Sequence, residues 1–301
     1  MPELPEVQTI VNDSNKKILG RKIVGVWLNT LKIIKKPKAA DLEKQIKGLR
    51  IKAVKRRGKN ILIYLEKCQM LNVGCQTFLL LIHQKLTGHL LMGKWKIEKG
   101  RVKSLLKGPL EEKVNNYIHL IFYLDNGWQM ALSDLRKFAK VLFGLKEEIE
   151  KLPDLAEIGP EPLDKSFNFL IFQSAISNKK GRIKQVLMDQ KVIAGIGNIY
   201  SDEILWQAKI HPFIPANKLK INQLKALYSA MRQILKKALK LRGTSISDFR
   251  DAFGKPGRYA EIRKIYQREG EKCPRCKTIV KRVKMGGRSA HFCPRCQRNL
   301  R

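Results

Sequence analysis

Two groups of residues, far apart in the chain, have types and spacings suited to chemistry. Cys273-Pro-Arg-Cys276 and Cys293-Pro-Arg-Cys296 are separated by sixteen residues, so a hairpin between them can gather four thiolates around a tetrahedral zinc ion. Two matched pairs with no βαβ pattern around them favour metal over a dithiol redox couple. With four protein ligands the ion builds structure and takes no substrate. At the start of the chain, MPELPEV places Pro2 after a methionine that is normally excised before small residues. Excision exposes a secondary amine beside the Glu3 carboxylate, a nucleophile next to an acid. A frayed acidic terminus accounts for the same letters.

Three further stretches could hold a polyanion. Ala194-Gly195-Ile196-Gly197-Asn198-Ile199-Tyr200 lies between two helical patterns, where glycines allow close backbone approach and the next helix presents its N–H groups to phosphate. A plain helix-to-helix turn needs the same glycines. Lys55-Arg56-Arg57-Gly58-Lys59 reads first as a solvated charged face. Asp134-Leu135-Arg136-Lys137-Phe138 joins cations to an aromatic after a strand, a mixture suited to entering a stack of bases, although an edge strand with one core phenylalanine fits as well. The whole-chain charge favours the polyanion. The 301 residues carry 61 Lys and Arg against 26 Asp and Glu, a formal charge of +35 spread along the length, and such a field attracts nucleic acid or an anionic membrane. No apolar run approaches the ~18 residues that a membrane span needs, Phe78 to Ile82 being strand-sized. Nucleic acid is therefore the favoured partner. The acidic start is unlike a secretory signal, and a cytoplasmic location is the expectation. There the cysteines are expected as thiols or metal ligands, with Cys68 and Cys75 as buried free thiols.

The elements that must position these groups follow from periodicity. Val7, Ile10, Val11 and Ile18 recur at helical spacing after Pro5 until Gly20, giving one amphipathic helix. Short β-branched runs follow at Lys22 to Leu28, Arg50 to Arg56, Asn60 to Leu65, Thr77 to His83 and Tyr117 to Leu124, then an Asp125 to Gly127 turn and WQMAL. They suggest a sandwich of antiparallel strands. Prolines and acidic residues from Lys146 to Pro162 mark a linker, and helical patterns follow, the longest at Ile221 to Leu241. The chain is long enough for two domains without disulfide staples.

These motifs, in this order, closely resemble the formamidopyrimidine-DNA glycosylase family of bacterial repair enzymes from Pro2 to about Gln297. The matching stretches are PELPEV, KRRGK, DLRKF, IGPEPL, IKQVLMD, GIGNIYSDEIL, HPFIPA, GKPG and GRSAHFCPRCQ. The resemblance implies an α+β chain with four parts. These are an N-terminal catalytic β-sandwich with the first helix (2–148), a linker (149–165), a helix-two-turn-helix domain (166–262) and a zinc finger holding one structural zinc (263–301). It implies a monomer that acts on double-stranded damaged DNA, excises oxidised purines and cuts the abasic strand by β,δ-elimination. Pro2 matches the amine that attacks C1′ and forms a Schiff base, and Glu3 the acid that protonates the sugar ring oxygen. A free α-amine has a pKa of about 7.7 to 8.0, so the site must favour its neutral form by desolvation or nearby cations. Lys59 matches a lysine of phosphate contact and β-elimination, and Arg288 the zinc-finger arginine that grips phosphates and assists δ-elimination. Arg136 and Phe138 match two of three wedge residues that fill the space left by the extruded nucleotide. Asn198 and Lys179 match DNA-contacting residues of the helical domain, and Phe253 to Glu261 the mobile lid.

The departures concern recognition. His83-Gln84-Lys85-Leu86-Thr87-Gly88 stands where the family reads H-L-G-M-[ST]-G, so the methionine wedge becomes Leu86 and a glycine becomes Lys85. Tyr117 replaces a phosphate-contacting histidine, while His119 keeps the second of that pair. Leu135, Lys137 and Ala139 replace proline, arginine and glycine in D-P-R-R-F-G. An endonuclease VIII-like enzyme for oxidised pyrimidines is the near alternative, and PEL rather than PEG at the start, together with Arg136 and Phe138, points away from it. A non-catalytic damage-binding or RNA-binding protein would suit the charge and the zinc site, but has no need of Pro2, Glu3, Lys59 and Arg288 together.

Overall fold

The computed structural model describes residues 1–68, 74–246 and 248–298; the last three residues of the expected zinc finger lie outside them. The chain divides into two compact units, one of residues 1–156 and 241–258, the other of residues 157–240 and 259–301.

The first unit begins with α1 (Leu4–Ile18), where Pro5 occupies the first turn and the Glu6 carboxylate reaches back to accept the Glu3 N–H at 2.8 Å. This is a capping arrangement that satisfies an otherwise orphaned donor. Val7, Ile10, Val11 and Ile18 are buried as the periodicity requires. Thr9 and Ser14 are buried too, and stay compatible with a dry site by donating their hydroxyls to the carbonyls of Pro5 and Ile10.

Two sheets pack behind this helix. The strands β1 (Ile23–Leu28), β2 (Ile34–Lys36), β3 (Arg50–Arg57), β4 (Asn60–Cys68), β5 (Cys75–His83) and β6 (Gly88–Gly93) alternate with one helix, α2 (Ala39–Ile46). A small hairpin of β7 (Trp95–Glu98) and β8 (Arg101–Ser104) precedes β9 (Ile118–Leu124), β10 (Gln129–Asp134) and β11 (Lys140–Leu145). One sheet has the order β1-β9-β10-β6, the other β2-β11-β5-β4-β3. All pairs are antiparallel except β2 with β11. The period of two sorts residues between two clusters. Leu120, Phe122, Met130, Leu132, Leu90 and Met92 join the large core with α1, whereas Ile121, Ala131 and Leu91 face the opposite way and pack with Trp95 and Leu110. Both faces of this sheet are therefore covered, and β6 is buried at all six positions.

The linker expected from Lys146 to Pro162 instead begins with two short helices, α3 (Lys146–Glu150) and α4 (Pro153–Ala156), in the first unit. Residues 241–258, grouped by sequence with the helical domain, also belong to the first unit. Arg242 bonds Asp251 at 2.6 Å and Asp13 at 2.5 Å, and the Thr244 N–H donates to Glu6 at 2.6 Å. Gly243 sits at φ 83°, where a Cβ would lie 2.7 Å from the Glu6 carboxylate, so only glycine fits. The expected lid is tied at its base: Asp251 accepts the N–H groups of Phe253 and Lys255 at 2.9 Å, and Gly257 donates to Ser245 Oγ.

Cys68 and Cys75 are not buried thiols. They are exposed and joined by a disulfide, because the β4–β5 register sets them opposite each other with their Cα atoms 4.2 Å apart. The pairing depends on hairpin register, which their types and spacing alone do not reveal.

The second unit holds α5 (Phe169–Ser177), α6 (Ile183–Met188), α7 (Asn198–Gln207) and α8 (Ile221–Lys240), then a hairpin of β12 (Lys281–Met285) and β13 (Arg288–Phe292). The long helix buries Leu224, Leu227, Met231 and Leu235 along one face, as its spacing predicts. Among the described residues, no helix is long and apolar enough to cross a membrane.

Candidate active site

In the first unit the candidate residues form two groups toward one end: α1 runs against β3 with Asn15 bonded to Val54 and Gln8 accepting from Arg56 Nε at 3.0 Å, so its head points toward the β3–β4 turn. Pro2 and Glu3 are buried at the head of α1, Glu3 being 2% exposed and accepting the Val7 N–H on its carbonyl. Glu6, which the sequence reading passed over, holds this head in place by binding the Glu3 N–H with one carboxylate oxygen and the Thr244 N–H with the other. The signal was in PELPEV, but the partner is more than two hundred residues away in sequence.

The second group stands at that end of the five-stranded sheet. There the β3–β4 turn carries Lys59, 5% exposed; β5 ends at His83 before Lys85 and Leu86; and β11 starts just after Arg136 and Phe138. Phe138 is 49% exposed, and the Arg136 guanidinium stacks 4.7 Å from its ring centre. Leu86 and Phe138 line one groove. An exposed aromatic beside an apolar side chain suits insertion between base steps.

Asp134 holds this wedge, and sequence reasoning did not single it out. Its carboxylate accepts the Thr87 hydroxyl at 2.5 Å and the N–H groups of Phe138 and Ala139 at 2.7 Å each. The Thr87 oxygen in turn accepts the Arg136 N–H at 3.1 Å. One buried carboxylate thus joins the two turns that carry Leu86, Arg136 and Phe138.

His119 serves the same frame. Its Nε2 lies 3.1 Å from the Asp134 carbonyl, which can only accept, so this nitrogen carries the proton; Nδ1 lies 3.0 Å from the Thr30 hydroxyl. Both ring nitrogens are engaged within the protein, so neither faces a phosphate. Burial, followed by the charge of Lys137, lowers the His119 pKa. Tyr117, partly buried at the head of β9, offers its carbonyl to the Asp134 N–H at 2.8 Å.

In the second unit Asn198 and Arg288 line a common cleft of about 840 Å³ with Tyr266, Arg282, Lys284 and Ser289. Asn198 is the first residue of α7, its amide 3.5 Å from the Tyr266 hydroxyl and its Oδ1 buried without a partner among the described residues. Arg288 opens β13 after Gly286 and Gly287, whose φ values of 50° and 72° make the tight turn. Behind it, the fully buried Lys184 reaches Asp202 and the Ser289 carbonyl, both at 2.6 Å. Asp202 also accepts the His291 N–H at 3.0 Å and its ring Nδ1–H at 2.9 Å. An ion pair between α6 and α7 therefore fixes the strand that carries Arg288. Lys179 is exposed in the loop after α5, outside the lining of this cleft.

The four cysteine sulfurs lie within 4.8 Å of one another, with separations of 3.4 Å for Cys276 to Cys293 and 4.0 Å for Cys273 to Cys296. Zn–S bonds of ~2.3 Å in a tetrahedron place sulfurs ~3.8 Å apart, so this set fits one structural zinc. Cys293 Sγ also accepts the Cys296 N–H at 3.4 Å. The ion would cross-link the two knuckles, and β12 and β13 span the interval between them.

The fold and these sites are those of a DNA repair glycosylase with a zinc finger. The formamidopyrimidine-DNA glycosylase N-terminal domain matches residues 1–141, the H2TH domain of the same enzymes residues 158–250, and the zinc finger found in FPG and IleRS residues 270–299. The chain is similar to the formamidopyrimidine-DNA glycosylase of Desulforamulus reducens, 36% identical over 99% of each chain. It is likewise similar to that of Pelotomaculum thermopropionicum, 35% identical over 99% of each. A Lactococcus lactis Fpg complexed with abasic-site DNA superposes with a TM-score of 0.82 at 30% identity, covering 99% of this chain and 100% of that one. A complex of the wild-type Lactococcus lactis Fpg with N7-benzyl-Fapy-dG DNA gives 0.82 at 31% with the same coverage. The chain belongs to the formamidopyrimidine-DNA glycosylase family.

Proposed function

We propose that this protein is a base-excision-repair glycosylase and abasic-site lyase that removes oxidised purines from double-stranded DNA. The observation that carries the reading is the burial of Pro2 and Glu3 at a braced helix head in a chain that matches the family over nearly its whole length. Once Met1 is removed, the Pro2 amine attacks C1′ of the extruded nucleotide, and Glu3 delivers a proton to the ring oxygen as the sugar opens. The base departs and an iminium joins Pro2 to the sugar. The iminium acidifies the C2′ hydrogen, and its loss expels the 3′ phosphate. A second elimination expels the 5′ phosphate. Lys59 serves the first elimination and Arg288 the second, each neutralising phosphate charge.

Leu86, Arg136 and Phe138 occupy the vacated stack, with Arg136 meeting the orphaned base. Asn198, Lys179, Tyr117 and Arg288 contact the backbone, and His119 acts through the Asp134 turn. Zinc shapes the hairpin that presents Arg288 and takes no part in the bond changes. The protein works as a monomer in the bacterial cytoplasm.

Lactococcus lactis Fpg has been captured with Fapy-dG DNA and with DNA containing an oxidized pyrimidine, so the lesion class needs a direct comparison. Duplexes bearing 8-oxoguanine, formamidopyrimidine or thymine glycol, each opposite all four bases, should show faster release of the purine lesions. Cut products should carry phosphate on both sides of the gap. Excision confined to thymine glycol would favour the endonuclease VIII-like reading, and tight binding without base release would favour a damage-binding protein.

A further inference from the structure

The groove beside Leu86 and Phe138 is lined by four lysines, Lys32, Lys35, Lys85 and Lys137, in a volume of about 450 Å³. No carboxylate pairs with any of them among the described residues. Their field is felt by the histidines beneath. His83 is pushed down to about 3, by burial first and then by Lys85 and Lys59, while Lys137 and Lys32 help to lower His119. Lys85 and Lys137 stand at φ 54° and 56°, a left-handed conformation that glycine or asparagine adopts far more readily. The backbone of these turns does not call for lysine.

The sheet order shows which way the groove faces. In β2-β11-β5-β4-β3, the β3–β4 turn with Lys59, the end of β5 and the starts of β11 and β2 all lie at the same end, because β2 runs parallel to β11 and antiparallel partners alternate. Leu86 and Phe138 follow β5 and precede β11, in the middle. Lys59 is on one side of them, and Lys32 and Lys35 are on the other. Three strand spacings of ~4.8 Å separate β4 from β2, ~14 Å in all. Side chains that wedge between base steps enter by the minor groove, whose ~6 Å width is narrower than that separation. Cations on the two sides of a wedge inserted in a duplex therefore meet different strands.

We propose that Lys32, Lys35, Lys85 and Lys137 form a phosphate-binding groove for the strand complementary to the lesion, with Lys32 and Lys35 across the Leu86–Phe138 wedge from Lys59 and Lys85 and Lys137 beside the wedge. This rests on the reading of the wedge as a duplex-entering device. The groove anchors the undamaged strand while the lesion strand is distorted, and it does so through phosphate, without regard to the base opposite.

The test pairs lysine variants with neutral methylphosphonates placed singly across from the lesion on either strand. Lys85→Gly and Lys137→Gly suit the left-handed backbone, and Lys32→Gln and Lys35→Gln lie on exposed positions, so folding is preserved. Each variant should reduce the salt slope of log K by about 0.9 on unmodified duplex. Its loss of affinity should shrink when a complementary-strand phosphate is already neutral, and persist in full when the neutral phosphate is in the lesion strand. Coupling to the lesion strand, or no coupling to either, overturns the groove assignment. Borohydride trapping of wild-type protein on the same duplexes separates the two readings. Trapping without complementary-strand coupling removes only the groove, and coupling without trapping removes the enzymatic reading while the groove stands.

Discussion

The wedge turn of the first unit and the zinc hairpin of the second each hold an exposed cation on a backbone fixed by one buried aspartate, yet the two aspartates are satisfied differently. Asp134 is met by a hydroxyl and by backbone N–H groups, all neutral donors. Asp202 is met by the Lys184 ammonium, 2.6 Å away and 1% exposed, as well as by His291. Where neutral donors suffice, the carboxylate organises a turn and its loss is local. Where a buried lysine is the partner, losing the acid strands a charge away from water. Loss of the anchor should therefore cost the second unit more stability than the first.

The zinc site bears hardest on this contrast. Replacing Cys293 by Ser removes one of four ligands and should release the metal and unfold the hairpin, weakening binding to any duplex. Metal analysis of the purified variant checks this, and Arg288→Ala should keep full zinc while losing affinity. Next in size, Asp202→Asn should cost about 3–5 kcal/mol in urea unfolding, because Lys184 keeps its charge without an anion. Replacing Lys184 by Met at the same time should recover part of that loss. A cost no larger than that of Asp134→Asn would end the distinction between the two anchors.

Asp134→Asn should be milder, about 1–3 kcal/mol. Its amide still accepts through one oxygen but offers N–H groups where donors already point. The larger consequence should be kinetic. Excision of an intact lesion should slow more than cutting at a preformed abasic site, since only the former needs the wedge to offset unstacking.

The smallest expected effect is the change that one groove lysine makes to the titration of His83. The unfolded imidazole of His83 binds a proton near 6.5, whereas the folded one does so only near about 3. Its Nδ1 accepts the Lys85 N–H at 3.0 Å, which requires the neutral ring. Between these values the unfolded state holds more protons, so stability falls as pH drops through that window. Lys85→Gly should raise the folded value and narrow the window, as histidine NMR titration would record. An unchanged His83 titration would mean that burial alone sets it.

Much of this was legible in the sequence, and the omissions share a cause. The cysteine pairs and the long amphipathic helix announce themselves by spacing of a few residues, whereas Pro2 and Glu3 stand out only through the family resemblance. β6 does not announce itself, because it is buried at all six positions and shows no alternation. The short β2 owes its place to β11, more than a hundred residues further along. Glu6, Asp134 and Asp202 were visible as letters inside quoted motifs, but their value lies in backbone groups that only tertiary structure delivers. The same holds for the Cys68–Cys75 bond, set by register, and for residues 241–258, which leave the long helix to brace α1. His119 shows the converse: a residue matched by motif to phosphate contact has both ring nitrogens turned inward.

The central claim is that the Pro2 amine is the nucleophile. The most direct measurement is borohydride reduction of the protein on abasic duplex, with the adduct mapped by peptide mass spectrometry, using mature protein and protein whose N-terminus is verified as blocked. Blocking turns the amine into an amide nitrogen without a usable lone pair. The account predicts a stable adduct on Pro2 from the mature chain, and from the blocked chain neither adduct nor strand cutting despite retained DNA binding. An adduct of equal yield on a lysine, or full cutting by the blocked protein, would contradict it.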